Sequence, residues 1–372
     1  MSLPTQDPEL VDAFRQKQAQ ALPLLTHPLL LMRIKWDSAS LRMFTLDKLM
    51  SRHTALLLNP DGTAHIICQA IEDAGFRPLS ELAELHIYTT TDDFYNILTS
   101  LYPKGTTLLA EFSDEFFTLD RLPRHAHQRL SQHFNLASAD AALIELRSVK
   151  TEAELTFMRR AINATYNIFT ALTSQVKPGV KESELYRFIA HQSAEAGMPF
   201  PDNFIPIIAS GPRSQDPHPV NFTERKLVKG DYLIVDMGLS CRGYASDITR
   251  TFLITGDAEE DERNTYNTAL VNALLSEPVL GSTPQKVAEK IAQVAIEGGF
   301  HHLEKHSYGH GLGTEVHDPY PTLTTQLGPL SDKPLQAGNV FTFEPGFYDH
   351  EGGFRLEDDY FIDQNGFAKV LK

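Results

Sequence analysis

Hydrophobic positions recur along this chain in two different rhythms. Up to about residue 145, short apolar runs alternate with helix-like stretches. Residues 54–58 and 65–68 read as strands joined across Asn59-Pro60-Asp61-Gly62, whose Asp-Gly pair is a strong hairpin signal. Residues 85–88 and 107–110 read as further strands, with a helix near 92–101 between them. This pattern predicts a small α/β domain over residues 1–145.

From Lys150 onward the apolar period lengthens. Thr151-Glu152-Ala153-Glu154 is a capping box, in which hydroxyl and carboxylate satisfy free amides at a helix start. Leu155, Met158, Ile162, Phe169 and Leu172 then share one helical face, and Lys177-Pro178-Gly179 ends the segment. A second helix is predicted over 181–196, stopping at Gly197, and a third near 259–275. A fourth starts at Thr283-Pro284 and stops at Gly298. Strand-like runs at 204–209, 232–239, 243–255, 340–348 and 354–362 fill the remainder. The second domain is therefore placed at 146–372.

Composition narrows the class of protein. The chain is 42% hydrophobic and 22% charged, as expected of a globular fold. Lys plus Arg number 33 against 48 Asp plus Glu, a formal charge of −15, and that field repels phosphate backbones, so nucleic acid is not an expected partner. Two cysteines, Cys68 and Cys241, make no disulfide framework and fit a reducing compartment. No basic-then-apolar leader opens the sequence, and the longest greasy run, 21–32, is broken by Pro23, His27 and Pro28. A cytoplasmic protein without a membrane span is expected.

Candidate chemistry comes from acids in hairpin-like surroundings. Leu233-Ile234-Val235-Asp236-Met237-Gly238 and Gly243-Tyr244-Ala245-Ser246-Asp247-Ile248 both read as strands. Folding them about Cys241 and Arg242 sets Asp236 opposite Asp247, and directly paired side chains point to one face. Phe341-Thr342-Phe343-Glu344 and Phe354-Arg355-Leu356-Glu357 flank a turn at His350-Glu351-Gly352-Gly353, which sets Glu344 opposite Glu357. Each acid alone is better explained as a turn or surface residue; the repeated device is what argues for a site. Four buried carboxylates repel unless cations compensate them, and two divalent ions cancel the four charges. His310, within Gly309-His310-Gly311-Leu312-Gly313, is the fifth expected ligand, because glycines let backbone approach a crowded centre. Oxygen donors with one imidazole suit manganese first, with cobalt, iron or zinc also admissible. The chemistry implied is hydrolysis, by a hydroxide bridging two ions.

These segments resemble the pita-bread-fold metallopeptidases (the creatinase/aminopeptidase group, which includes methionine aminopeptidase, aminopeptidase P and prolidase). The resemblance rests on Val235-Asp236-Met237-Gly238, Gly243 through Phe252, Gly309 through Gly313 with Val316-His317-Asp318, Phe343-Glu344-Pro345-Gly346 and Arg355-Leu356-Glu357-Asp358-Asp359. It implies a mixed α/β (α+β) fold: a C-terminal pita-bread domain with a curved antiparallel sheet and flanking helices, preceded by a smaller creatinase-like domain. It implies further that Asp236 holds one metal, His310 and Glu344 the other, and that Asp247 and Glu357 bridge. His218 and His317 would bind the substrate carbonyl region and stabilise the tetrahedral intermediate, and Glu344 would also carry a proton to the leaving nitrogen. Arg355 would orient a carboxylate or pair with Asp358.

The length and Gly243-Tyr244-Ala245-Ser246-Asp247-Ile248-Thr249-Arg250-Thr251-Phe252 are most similar to short bacterial Xaa-Pro dipeptidases. Such relatives imply a homodimer, a small Xaa-Pro peptide as substrate and an N-terminal domain that limits substrate length. The chain departs from them in two places. It has Ile34-Lys35-Trp36-Asp37-Ser38 where they carry an Asn-x-x-Tyr-Leu-Thr-Gly-like stretch, and Asp318-Pro319-Tyr320-Pro321 where some prolidases carry a carboxylate-gripping arginine. The alternatives are an Xaa-Pro aminopeptidase, a non-peptidase amidohydrolase of the same fold, and a metal-free binding protein of that fold.

Overall fold

The computed structural model describes residues 7–34, 38–48, 50–254 and 262–372. The chain divides into two compact units, Met1–Arg147 with Thr151–Glu154, and Ser148–Lys150 with Leu155–Lys372.

The first unit carries helices α1 (Pro8–Ala21), α2 (Ala39–Thr45), α3 (Asp73–Phe76), α4 (Thr91–Ser100), α5 (Arg124–Leu130) and α6 (Asp140–Ser148). Its strands are β1 (Leu29–Arg33), β2 (Thr54–Leu58), β3 (Ala64–Gln69), β4 (Glu84–Tyr88), β5 (Thr107–Ala110) and β6 (Asn135–Ser138). They form one sheet in the order β4-β3-β2-β1-β5-β6, antiparallel at β1–β2 and β2–β3 and parallel elsewhere. β1 comes from the last part of the greasy run at 21–32, after Pro28. Its residues Leu29 to Met32 are all buried, so it shows none of the alternation that marks a one-sided strand. Tyr88, Phe94, Leu98, Leu108 and Phe134 build a core on one face of this sheet. The expected departure at 34–38 falls mostly on residues 35–37, outside the described residues.

α7 (Glu152–Leu172) has its first turn in the first unit and the rest in the second, and starts with the predicted capping box, Thr151 N–H donating to Glu154 Oε2 at 2.6 Å. α8 (Glu182–Ala196) ends at Gly197 with φ +65°, the left-handed conformation that glycine adopts cheaply. α9 (Glu262–Leu275) and α10 (Pro284–Glu297) follow, and the predicted helical residues 259–261 lie outside the described residues. The strands are β7 (Ile207–Ser210), β8 (Tyr232–Met237), β9 (Ser240–Cys241), β10 (Tyr244–Ala245), β11 (Ile248–Leu253), β12 (Gly309–Gly311), β13 (Asp318–Leu323), β14 (Val340–Phe343), β15 (Gly346–Tyr348), β16 (Gly353–Arg355), β17 (Asp358–Ile362) and β18 (Ala368–Val370). Residue 255, the predicted end of the second long strand, is likewise outside the described residues.

These strands make antiparallel sheets: β11-β8-β7, β13-β12-β14-β17-β18, and the short ribbons β9–β10 and β15–β16. Each long run predicted near the C-terminus is broken in the middle, at 344–345 and at 356–357. Among the described residues, no helix is long and apolar enough to cross a membrane. Cys68 and Cys241 are both buried thiols.

Candidate metal centre

The first acidic pair does not stand in the predicted register. β8 and β11 pair Asp236 with Thr249 and Met237 with Ile248, so Asp236 does not face Asp247 directly. The cause is the turn. Arg242 and Gly243 have φ +54° and +88°, the paired positive values of a two-residue hairpin turn, and this centres the hairpin one residue later than Cys241-Arg242. Moving the centre by one residue slides the pairing by two and keeps every side chain on its face. Asp247 therefore lies diagonally from Asp236, still on the same side. Gly238 is required between them: a Cβ there would sit 1.8 Å from the Ser246 carbonyl oxygen.

At the second pair the ladders on either side share one register. Phe343 pairs with Asp358 below the break and Gly346 with Arg355 above it, so Glu344 and Glu357 fall opposite each other in the gap. Their backbones turn outward to other partners: Glu344 N–H donates to Tyr308 O at 2.8 Å and Glu357 N–H to Thr249 O at 3.1 Å. Pro345 has no N–H to continue the ladder.

His310 enters from β12, between β13 and β14. A Cβ on Gly309 would lie 1.9 Å from Thr342 O and one on Gly311 2.5 Å from Tyr320 O, so both neighbours must be glycine for the strands to close on the histidine. Nδ1 of His310 is 3.1 Å from Gly311 O, which assigns the proton to Nδ1 and leaves the Nε2 lone pair facing the acids. Nε2 is 3.6 Å from Asp247 Oδ2 and 3.7 Å from Glu344 Oε1. Asp247, His310 and Glu357 each offer a ligand atom, all within 4.8 Å of one another.

The five predicted ligands line one cavity of about 250 Å³ together with His218, His317 and Arg355. Asn203, Phe204, Ile205, Ile207 and Asn221 complete its wall. The His310 and His317 rings lie 4.2 Å apart between centroids. Arg355 does not pair with Asp358, as one predicted option had it. Its Nη2 lies 2.6 Å from Asp236 Oδ2, its Nη1 donates to Tyr348 Oη and Pro217 O, and its Nε to Thr249 Oγ1. Asp358 is taken by Arg250 and by the Tyr166 hydroxyl.

Electrostatics at the centre follow from crowding like charges out of water. Burial, then the neighbouring Glu357 and Asp236, push Asp247 well above the usual carboxylate range. Burial with Glu344 and Asp236 does the same to Glu357. Burial lifts Glu344 to about 7 against the pull of Arg355, with Asp236 adding to the rise. Burial, then His317, drives His310 down to about 3, so its imidazole is neutral and free to donate a lone pair. Asp236 Oδ1, Asp247 Oδ1 and Glu357 Oε1 are buried without a hydrogen-bond partner. Such orphaned acceptors are costly in a folded protein and fit oxygen ligands turned toward cations.

Sequence reasoning missed several residues that hold this arrangement. Thr249 Oγ1 donates to Glu357 Oε2 at 2.7 Å, and Asp359 accepts from Asp247 N–H at 3.1 Å. His306 bonds the Tyr348 hydroxyl at 2.9 Å, and burial lowers it to about 4. Only the pairing register could have flagged Thr249, since it stands opposite Asp236. Nothing in the sequence pattern marks His306.

Comparison with known proteins agrees with the geometry. Residues 156–364 match Metallopeptidase family M24. An uncharacterised peptidase of Staphylococcus haemolyticus is 30% identical over 84% of this chain and 86% of its own length. A Xaa-Pro dipeptidase of Pyrococcus horikoshii is 28% identical, covering 76% of each chain. The crystal structure of a Pyrococcus horikoshii prolidase superposes with a TM-score of 0.76 at 23% identity, over 95% of this chain and 97% of that one, which establishes the pita-bread fold. A family match over more than half the chain, joined to a full set of acidic and imidazole donors in one cavity, identifies the protein as a member of metallopeptidase family M24.

Proposed function

We propose that the protein hydrolyses the Xaa-Pro bond of dipeptides with two divalent ions, manganese first, held by Asp236, Asp247, His310, Glu344 and Glu357. The observation that carries this reading is the convergence of Asp247, His310 and Glu357 ligand atoms within 4.8 Å, beside buried carboxylate oxygens without partners. When bound, the ions supply a nucleophile at neutral pH and polarise the scissile carbonyl. In this reading Asp236 would help hold one ion, His310 and Glu344 the other, and Asp247 and Glu357 would contribute to both.

The chain's own groups do the remaining work. His218 and His317 project into the cavity and donate hydrogen bonds to the substrate carbonyl as it gains charge. Glu344 would take the proton given up by the attacking water and pass it to the leaving imino nitrogen, a task within reach of a carboxylate beside the reacting bond. Arg355 holds Asp236 in place at 2.6 Å and fixes its free oxygen toward the centre. The protein works as a cytoplasmic homodimer, and its N-terminal domain, taken as residues 1–145, limits substrate length.

A second reading, an Xaa-Pro aminopeptidase acting on longer peptides, draws support from one observation. Among the described residues lining the cavity Arg355 is the one lysine or arginine, and it is committed to Asp236, so this lining offers no spare guanidinium to a dipeptide carboxylate. An X-Pro aminopeptidase from Thermotoga maritima has the same fold, with a TM-score of 0.77. The metal-free binding protein is disfavoured because no ligand of the set is missing.

The test is hydrolysis of Ala-Pro, Gly-Pro and Xaa-Pro-Xaa peptides with manganese and with EDTA. Cleavage of dipeptides alone, abolished by EDTA, is the expected result. Cleavage of the longer peptides instead selects the second reading. An unchanged melting temperature in EDTA, with no peptide cleaved, rejects both.

A further inference from the structure

A second group of metal-ligating side chains lies on the N-terminal sheet. β3 and β4 run parallel with His65 opposite Glu84 and Ile67 opposite His86. Opposed residues share a face of a sheet, and so do residues two apart on one strand. His65, Glu84 and His86 therefore stand together on one face, the face on which Ile67 and Tyr88 enter the core of this unit. The two histidine side chains are 19% exposed, while Glu84 is 67% exposed and reaches in from the solvent side.

Three donor atoms converge there. His65 Nδ1 is 3.1 Å from His86 Nε2 and 3.3 Å from Glu84 Oε2, and His86 Nε2 is 3.9 Å from Glu84 Oε1. A hydrogen bond between the rings accounts for only part of this. A neutral His65 carries at most one proton on Nδ1 and cannot donate it fully to both neighbours. Ligand atoms about 2.0–2.1 Å from a tetrahedral ion stand about 3.3 Å from each other, close to the separations observed. Two imidazoles and one carboxylate, with water completing the shell, form a donor set for a borderline divalent ion.

We propose that His65, Glu84 and His86 form a metal site separate from the catalytic centre, taking zinc in preference to manganese and clipping edge strand β4 to β3. The donor chemistry sets it apart from the oxygen-rich centre of the second unit. Because β4 is an edge strand held by one neighbour, a bridging ion would act there as a staple.

Equilibrium dialysis against zinc tests this in the full chain carrying Asp247→Asn and Glu357→Gln, which removes two ligands of the catalytic centre. One zinc per chain is expected to remain, and adding His65→Gln, His86→Gln or Glu84→Gln should weaken it by at least about tenfold. The same loss of one bound zinc is expected between the otherwise wild-type chain and its His86→Gln variant, a comparison that does not need the doubly substituted chain to fold. Glu84→Gln, at an exposed position, should leave manganese-supported turnover unchanged while reducing the rise in melting temperature produced by zinc. Zinc binding that is indifferent to all three substitutions, or equal zinc content in wild type and His86→Gln, overturns the proposal.

Discussion

The Nη2 of Arg355 lies 2.6 Å from Oδ2 of Asp236, with side chains only 3% and 10% exposed. One of the acids thus already has a fixed cation within the fold. Arg355 subtracts one charge from the four of Asp236, Asp247, Glu344 and Glu357, so two divalent ions would leave one positive charge for an anionic ligand to cancel. Arg355→Ala strands a buried carboxylate, and breaking such a pair costs about 3–5 kcal/mol. Arg355→Lys keeps the charge but loses the fork that also reaches Tyr348 and Thr249, so its loss should be smaller. Urea unfolding with EDTA and with manganese measures both. The deficit of the alanine variant should shrink with metal, and equal deficits in the two conditions would show that Arg355 is not compensating this cluster.

Asp247→Asn separates stability from metal binding. Asp247 is buried among Glu357, Asp236 and Asp359, which with desolvation disfavour its charge, and its Oδ1 has no hydrogen-bond partner. The amide keeps the shape and removes the repulsion. In EDTA the variant should melt at or above the wild-type temperature. With manganese the order should reverse, because a ligand at 100 times its Kd stabilises the wild type by about 2.7 kcal/mol and the variant by less. Turnover should be abolished. A variant less stable than wild type in EDTA, yet still active, would remove Asp247 from the metal site.

How much of this was legible in the sequence depended on where the turns fall. The Glu344–Glu357 register could be read because the turn near 350–353 centres the pairing and both flanking ladders keep it. The Asp236–Asp247 register was read two residues off, because the positive φ of Arg242 joins that of Gly243 and sequence spacing alone does not fix which pair forms the turn. β1 was missed because a fully buried central strand lacks period-two alternation. Thr249, Asp359 and His306 were missed because their roles arise from contacts between segments about forty to over a hundred residues apart.

Glu182 is another residue visible only in three dimensions. It is fully buried at the start of α8 and accepts from Ser210 N–H and Oγ at 2.8 and 2.7 Å through Oε1. Oε2 accepts from Thr223 N–H and Oγ1 at 2.9 and 2.7 Å and pairs with Arg213, which also donates to Val220 O. Both ends of the loop that carries His218 are thereby tied to one carboxylate. Glu182→Gln replaces charged acceptors with a neutral amide that must present N–H groups to some of these donors, at a cost of about 1–3 kcal/mol. The expected signature is a fall in kcat with bound metal unchanged, measured by kinetics and metal analysis on the same preparation. A loss of metal in step with activity would mean that the effect reaches the centre by a route other than His218.

Glu111 gives the N-terminal unit a pH dependence of definite sign. Its carboxylate is 3% exposed and accepts from Ser38 Oγ at 2.6 Å and Ser40 Oγ at 2.5 Å. Burial raises it above the usual carboxylate range, against the opposing pull of both hydroxyls, Arg147 and Arg121. A carboxyl whose folded value is raised binds its proton more tightly in the native state than in the unfolded chain. Its contribution is therefore fully present below the unfolded value, about 4.3, and is lost as pH rises through the folded value. Glu111→Gln cannot titrate and lacks this term. The stability of the variant relative to wild type should thus improve as pH rises through that window, by at most about 1.4 kcal/mol per pH unit. Urea melts of both proteins across a pH series give the difference directly, with titrations common to the two cancelling. A difference that stays flat or falls with pH would mean that the serine hydroxyls and arginines hold Glu111 ionised in the fold.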